Sequence, residues 1–363
     1  MSLRLLVVGA GPAGASTAIF AQRAGMQVLL LDQQIELLAA DQYRFKVGEN
    51  LPPTAQPLLE ELGIWEKFKE QGHLPAYGTC SYWGSQQAAK VDFLHHPLGH
   101  GWHLDRQQFE QLLIQQAMDR GAEVQLGVRV NQLDFVERQW RVQLNDQSTA
   151  TFDYIIDATG RNSWFARQQG GTRLYEFRQL ALVAVVEVND SLRDHTTLIE
   201  AIAEGWWYSA LLPGKRLVLA FFCQPNQTQR KAWLEPEPWR QLLTKAGKTV
   251  QRFATFQNWL IRPQFVAAGS SMLEHKTGPG WCAVGDAAMT FDPVSAHGMT
   301  MGMVSARDAV QMLQAKIRGE DGAERTYENI LNATFQRYAL DRKKIYAAER
   351  RFPNSPYWQA AQQ

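Results

Sequence analysis

The sequence predicts an α/β protein: a parallel sheet assembled from discontinuous segments, a second region rich in β-strands, and a helical C-terminus. Three observations carry this. Residues 3 to 8 form an apolar run that breaks at Gly9-Ala10-Gly11-Pro12. Residues 13 to 24 then read as a small-residue helix, and residues 27 to 31 form a second apolar run ending at Asp32. Strand, tight turn, helix, strand is a βαβ unit, and two parallel strands joined by a helix imply a doubly wound sheet. Far downstream, a last apolar strand, Trp281 to Val284, meets Gly285-Asp286, and Gly298 to Leu313 reads as a helix, so distant segments complete the N-terminal sheet. Residues 180 to 188, 206 to 212 and 216 to 223 read as strands, two of them joined by Pro213-Gly214, an architecture unlike that of the first 35 residues.

Between these landmarks, the prolines at 52, 53 and 57 mark a loop that leads into a helical stretch, Leu58 to Phe68. From Gly72 to Gly101 the chain is rich in Gly, Pro, His and aromatics without a helical period, which predicts short strands and loops. Asp105 is an N-cap, followed by Phe109, Leu112, Leu113 and Ala117 at helical spacing, with Gly121 as the stop. Alternating segments Glu123 to Leu126, Gln132 to Phe135 and Trp140 to Leu144 predict an antiparallel meander. Residues 152 to 156 predict a buried strand that ends at Asp157-Ala158-Thr159-Gly160. The division this suggests is a cofactor domain over residues 1–72, 101–170 and 265–330, a substrate domain over 73–100 and 171–264, and a C-terminal helical segment over 331–363.

The 363 residues carry 37 Lys+Arg against 36 Asp+Glu, a formal net charge of +1. No basic block offers a footprint for nucleic acid, and none offers one for an anionic membrane surface. Three widely spaced cysteines, Cys80, Cys223 and Cys282, do not form a secreted disulfide framework. The N-terminal apolar run is too short for a signal peptide, and no stretch of about 18 apolar residues would span a membrane. A cytoplasmic protein is expected.

Gly9, Gly11 and Gly14 supply G-x-G-x-x-G spacing between a strand and a helix, with Pro12 and Ala13 inside the turn. The first glycine permits the tight turn, the second lets backbone approach a pyrophosphate, and the third lets helix and strand pack closely. The free N–H groups and positive end of the helix dipole favour the phosphates. Asp32 ends the second strand, where a carboxylate can accept hydrogen bonds from adenosine ribose hydroxyls. Three further motifs follow: His103-Leu104-Asp105-Arg106 opening a helix; Asp157-Ala158-Thr159-Gly160-Arg161; and Gly285-Asp286-Ala287-Ala288 with Asp292-Pro293 and Gly298. With the glycine loop they resemble the FAD-dependent hydroxylase superfamily that includes para-hydroxybenzoate hydroxylase, geranylgeranyl reductases and flavin-dependent halogenases. The resemblance implies a Rossmann-like FAD-binding domain. It also implies that Arg106 contacts FAD near the pyrophosphate or ribityl chain, that Asp286 holds a ribityl hydroxyl, and that Asp157 to Gly160 lies near the dinucleotide. Independently, Gly285 and Asp286 end a strand, Asp292-Pro293 re-aims the chain, and Gly298-Met299 begins a helix whose positive end would stabilise an anionic reduced flavin.

Within the superfamily, the segments from Val47 to Pro52 and from Gly205 to Ser209 look like those of halogenases and their non-halogenating relatives. A tryptophan halogenase carries a catalytic Lys in the strand after the first segment and a Trp-x-Trp-x-Ile signature in the second. Here Gly78 to Trp83 holds no Lys, and Trp206-Trp207-Tyr208-Ser209 is not that signature, so halogenation is not expected. The chain looks more like the flavoproteins that mature tryptophylquinone cofactors by oxygenating a Trp of an oxidase precursor. That resemblance implies a quinoprotein oxidase precursor as partner and O2 as co-substrate, with oxygen delivered through a flavin C4a-hydroperoxide. Candidate catalytic residues are His297, beside the expected flavin, Cys80, in the segment that replaces the halogenase Lys strand, and Glu49. Trp206, Trp207 and Tyr208 are candidates for a substrate-pocket wall, with plain core as the alternative. Arg44 and Lys46, flanking Phe45, could close the cofactor entrance, although a solvated loop is the default. The histidines at 95, 96, 100 and 103 lack partners at ligand spacing, so no metal is expected. The electron donor is open between NAD(P)H and a separate reductase. A hydroxylase of a free small aromatic, a double-bond reductase and a non-enzymatic flavin-binding protein are the alternatives.

Overall fold

The computed structural model describes residues 2–34 and 46–363. Arg44 and Phe45, expected near the cofactor entrance, lie outside the described residues. A six-stranded sheet runs in the order Thr277–Gly278, Trp281–Ala283, Tyr154–Asp157, Arg4–Val8, Gln27–Asp32, Glu123–Leu126. All its pairings are parallel except the first. Leu5, Leu6, Val7, Ile155, Ile156 and Cys282 are fully buried, as a sheet covered on both faces requires. The helix Pro12–Arg23 turns Gly14, Ala15 and Ala18 inward, and these short side chains let the helix Gly298–Ile317 pack beside it.

Two expectations change. Glu123–Leu126 is not part of the meander; it extends the parallel sheet beside Gln27–Asp32. The helix Arg106–Asp119 precedes it, so strand Gln27–Asp32, helix and strand Glu123–Leu126 form a parallel crossover of the kind alternation alone cannot announce. The meander itself is Val130–Val136, Gln139–Leu144 and Thr149–Phe152. The predicted helix Leu58 to Phe68 is two helices, Gln56–Glu61 and Trp65–Lys69, because Gly63 between them takes φ +70°, which a helix does not tolerate.

A seven-stranded sheet runs in the order Phe256–Ala267, Leu180–Val188, Arg216–Cys223, Gly205–Leu212, Thr197–Ile202, Gly78–Tyr82, Ala89–Asp92. All its pairs are antiparallel except Thr197–Ile202 with Gly78–Tyr82. One face packs Trp206, Phe222 and Val183 against Tyr346, Tyr357 and Trp358 from the C-terminal helices Ala323–Ala347 and Pro356–Ala361. The other packs Trp207 and Phe221 under Trp233 and Trp239. Among the described residues no helix is long and apolar enough to cross a membrane.

The helix Ala323–Ala347 ties the two sheets together. Arg342 and Asp292 are both essentially unexposed and pair at 3.3 Å. Tyr346 donates to Asp292 Oδ2 at 2.8 Å, and Trp206 Nε1 donates to the Tyr346 hydroxyl at 3.1 Å. Removing one partner of a buried pair leaves an uncompensated charge, so Arg342→Met is expected to cost about 3–5 kcal/mol. Tyr346→Phe, which deletes a single hydroxyl, should cost about 1–3 kcal/mol. Chemical denaturation of both variants checks the order; equal costs would count against the pair as the dominant tie.

Candidate functional site

The first strand ends in backbone packed too closely for any side chain. Gly9 (φ +104°) donates its N–H to the Leu31 carbonyl at 2.7 Å, and a Cβ on it would meet the Ala158 carbonyl oxygen at 2.3 Å. A Cβ on Gly14 would lie 1.8 Å from the Gly9 carbonyl oxygen. Gly285 (φ +57°) is similarly closed by Ala13, and its N–H donates to Ser305 Oγ at 2.8 Å. Gly11 and Gly298 differ: a Cβ on either meets nothing within 4 Å. Both stand at the start of long helices, Pro12–Arg23 and Gly298–Ile317, neither of which has a side-chain N-cap. Two sets of free helical N–H groups therefore face open space. The Asp32 carboxylate accepts from Ala10 N at 2.7 Å and from Gln34 N at 2.8 Å, which leaves further lone pairs for a ribose.

Asp105 caps the helix Arg106–Asp119 by accepting from Gln107 N and Gln108 N, and it pairs with Arg216 of the seven-stranded sheet at 2.8 Å. Arg106 donates to the Val47 and Gly48 carbonyls at 2.6 and 3.0 Å and to Glu110 at 2.5 Å. Lys46 approaches the other Glu110 oxygen at 2.5 Å. Burial alone would raise the Glu110 pKa, but the two cations hold it below the usual carboxylate range. The buried Nε of Arg106 has no partner, and neither has Thr300 Oγ1 in the first turn of the helix Gly298–Ile317. Such unpaired donors, like the open helix ends, suit a polyanionic dinucleotide.

Asp157 turns inward: its carboxylate accepts from Thr159 N, Thr159 Oγ1 and Ala166 N at 2.6–2.9 Å and is raised by burial, so it braces the turn that contains Gly160 (φ +68°). Asp286 is partly exposed, with Arg161 Nε 3.4 Å away. Pro293 opens a short turn, Pro293–Ser295, braced by Asp292, and Met299 packs half-buried on the first core. His297 is exposed at the end of that turn, immediately before Gly298.

Strand alternation divides the other candidates. Trp206 and Tyr208 lie on one face of their strand and Trp207 on the other, and both indoles are fully buried in core. Trp206 stacks on Phe222 at 3.9 Å, whereas Tyr208 is half-buried. Ser81 is in register with Ile199, which opposes Tyr208, so Thr79 and Ser81 share the Tyr208 face. Cys80, in register with Leu198, takes the opposite face, where it lines a cavity of about 580 Å³ with Tyr82, Lys248 and Arg252. Glu49 is 3% exposed, accepts from Gly48 N at 3.0 Å, and is raised by burial; the Tyr208 hydroxyl is buried without a hydrogen-bond partner. Strand register thus parts Tyr208 from Cys80. Sequence reasoning missed Arg342 and Tyr346; with Tyr338 they recur every four residues, a polar stripe on an otherwise ordinary amphipathic helix. Among the described residues no three His, Cys, Asp or Glu side chains gather as a metal site.

A family model described as FAD binding domain matches residues 2–337. A protein of Marinomonas mediterranea described as an FAD-dependent oxidoreductase, LodB, is 26% identical over 360 residues, covering 98% of this chain and 95% of its own. Tryptophan 2-halogenase of Chondromyces crocatus is 26% identical over 383 residues, covering 99% and 71%. Among solved structures, the flavin-dependent halogenase CmlS superposes with a TM-score of 0.89 at 20% identity, covering 100% of this chain and 68% of that one. The peptidyl tryptophan dihydroxylase QhpG superposes at 0.79 with 22% identity, covering 100% and 79%.

The glycines separate folding from binding. Gly14→Val is expected to abolish soluble protein, while Gly11→Val should fold with an unchanged melting temperature and retain FAD at least about tenfold less tightly. The ratio of flavin to protein absorbance after purification reads this out, and full flavin occupancy in Gly11→Val would refute the placement.

The pH dependence of stability follows from two buried rings. His73 Nδ1 accepts from Asp105 N at 3.2 Å, and Thr197 Oγ1 lies 3.0 Å from His103 Nε2. Burial lowers both histidines from 6.5 to about 4. Between these values the unfolded chain holds more protons than the folded one. The stabilisation is therefore present above pH about 6.5 and lost as pH falls towards 4, by on the order of 3 kcal/mol for each ring. Denaturation at pH 7.5, 6 and 5 should show the loss, and His73→Gln should shrink it.

Proposed function

We propose, from the premise that this chain belongs to the FAD binding domain family, that it inserts oxygen into the indole of a tryptophan in a partner protein maturing towards a quinone cofactor. The chain is an FAD-dependent oxidoreductase of the hydroxylase and halogenase type. The observation that carries the finer reading is the strand Gly78–Tyr82. Its positions on the Tyr208 face are Thr79 and Ser81, hydroxyls where the halogenase resemblance would require an amine. LodB, matching this chain over nearly the full length of both, supports the oxidoreductase reading. QhpG, described as essential for tryptophylquinone cofactor biogenesis, shares the fold.

FAD, when bound and reduced, supplies the electrons that activate O2. In this reading the N–H groups around Gly11, Pro12 and Ala13 hold its pyrophosphate, Asp32 a ribose, and Arg106 and Asp286 the chain between pyrophosphate and ring. The uncapped helix end at Gly298 and Met299 places a positive dipole where the reduced ring carries negative charge. Arg106 also pins the Val47 and Gly48 carbonyls, the residues just before Glu49 in the chain. Tyr208 forms part of the pocket wall with Trp206 behind it as rigid support, and the exposed His297 stands immediately before the uncapped helix Gly298–Ile317. Electrons come from NAD(P)H or a separate reductase.

The test is incubation of the FAD-loaded protein with O2, a chemical or enzymatic flavin reductant, and an unfolded quinoprotein precursor, followed by peptide mass analysis. A gain of about 16 or 32 Da on one tryptophan supports the proposal. Oxygen on free phenols or free tryptophan alone would favour a small-molecule hydroxylase, and chlorine or bromine incorporation in the presence of halide would overturn the reading.

A further inference from the structure

The geometry points to Arg173 as a positioning residue of the cofactor cradle: its guanidinium straps the turn that contains Gly160 to the turn Gly285–Ala287, and so sets the spacing of two segments assigned to FAD. The inference rests on that assignment and not on the identity of the substrate. Arg173 opens the strand Arg173–Phe177, which pairs with Ser270–Leu273, and Ser270–Leu273 pairs with Met289–Thr290. These three strands form a sheet of their own. Met289–Thr290 follows the Gly285–Ala287 turn after a single residue, so the small sheet delivers Arg173 to that turn from outside it.

Every nitrogen of the guanidinium is used. Nε donates to Ser271 Oγ at 3.1 Å, within its own sheet. Nη1 donates to the Arg161 carbonyl at 3.1 Å and to Ser163 Oγ, both on the turn that follows Asp157. Nη2 donates to the Asp286 carbonyl at 2.9 Å, and the Ala287 carbonyl lies 3.5 Å from Nη1. Ser163 Oγ itself donates to the Ala287 carbonyl at 2.8 Å, which closes a ring of bonds between the two turns. Neutral oxygens from three segments are thus gathered around one planar fork, an arrangement that the compact charge of a lysine does not reproduce.

Two observations indicate that the turns depend on this grip. Ser163 takes φ +43°, a left-handed conformation that a residue other than glycine holds only where its surroundings impose it, and its hydroxyl is the one Arg173 holds. The Asp286 side chain, in contrast, is 37% exposed and has Arg161 Nε at a long 3.4 Å, so it anchors its own backbone weakly. The Asp286 main chain is fixed instead through its carbonyl, by Arg173. Arg161 is held in turn, donating from Nη1 to the Gly269 carbonyl at 2.7 Å. With the strap in place, the Asp286 carboxylate and the Gly160 backbone keep their separation before any ligand arrives, and a ligand that spans them pays less to order them.

Arg173→Ala and Arg173→Lys test it. In flavin-free protein, amide hydrogen exchange in Arg173→Ala should quicken over both 158–164 and 285–290 while the strand Arg4–Val8 keeps its protection, and an unchanged rate in either turn would overturn the strap. FAD titrated into flavin-free protein, followed by flavin fluorescence, should bind at least about tenfold less tightly to both variants. The control is Trp239→Phe, which thins the outer core of the seven-stranded sheet; it should lower the melting temperature and keep the parent affinity. An affinity within about twofold of the parent in Arg173→Ala, or regained in Arg173→Lys, would overturn the role of the fork. Low millimolar guanidinium should restore affinity to Arg173→Ala where sodium at equal ionic strength does not, and equal responses to the two salts would count against it in the same way. If Asp286→Ala binds FAD as the parent does, the placing of Asp286 on the cofactor falls instead, and hydrogen exchange then judges the strap by itself.

Discussion

The carboxylate of Asp292 sits at zero exposure where the cofactor-side turn, the long C-terminal helix and the middle sheet converge. Burial pushes it up, and only the concentration of partners around it makes the position tolerable: Arg342 Nε, the Tyr346 hydroxyl and Val294 N. Tyr338 adds a bond from its hydroxyl to Asp292 N at 2.7 Å, accepting that N–H. The guanidinium of Arg342 also lies over the rings of Phe177 and Tyr346, at 4.0 and 4.4 Å. A buried charge of this kind does little for net stability against an apolar alternative, but it admits one arrangement only. That arrangement sets the direction in which the chain leaves Asp292-Pro293 and hence where the helix Gly298–Ile317 begins.

The second constraint is backbone approach. The Gly9 and Gly14 contacts bring the first strand, the first helix and the Asp157-to-Gly160 turn nearer than any Cβ allows. The first helix in turn lies against the helix Gly298–Ile317, with Ala13 touching the position where a Gly285 side chain would stand. Two helix N-termini thereby open towards the same region. Neither is capped by its own side chains, so each keeps its donors for something else. Arg106, with an unpaired buried Nε, supplies a cation on the Val47–Gly48 loop.

Much of this was legible in order along the chain. Glycine spacing announces close backbone approach because only glycine permits it, and the strand, helix and cap signals around residues 4–32 and 105–121 are local in origin. The Glu123–Leu126 strand was misassigned because a four-residue alternating segment looks the same at the edge of a parallel sheet as in a meander. Its partner, Gln27–Asp32, is almost a hundred positions away. The helix Leu58 to Phe68 failed for a different reason: Gly63 could sit within a helix at modest cost, but at φ +70° it ends the first helix, with its N–H on the Glu60 carbonyl and Ile64 N–H on the Leu59 carbonyl.

By itself, the sequence determined the fold class and the close backbone approach at its glycines, because those depend on residue types at fixed short spacings, and its motifs carried the resemblance that implied FAD. Tertiary structure alone decided which side chains meet. Cys80 and Ser81 are neighbours in the chain and lie on opposite faces of a sheet, while His103 and Thr197 stand 94 positions apart and meet at 3.0 Å. Strand pairing sets register, register sets face, and face sets which polar groups share a water-poor interior. That chain of dependence runs through long-range partners, which no local pattern of residues encodes.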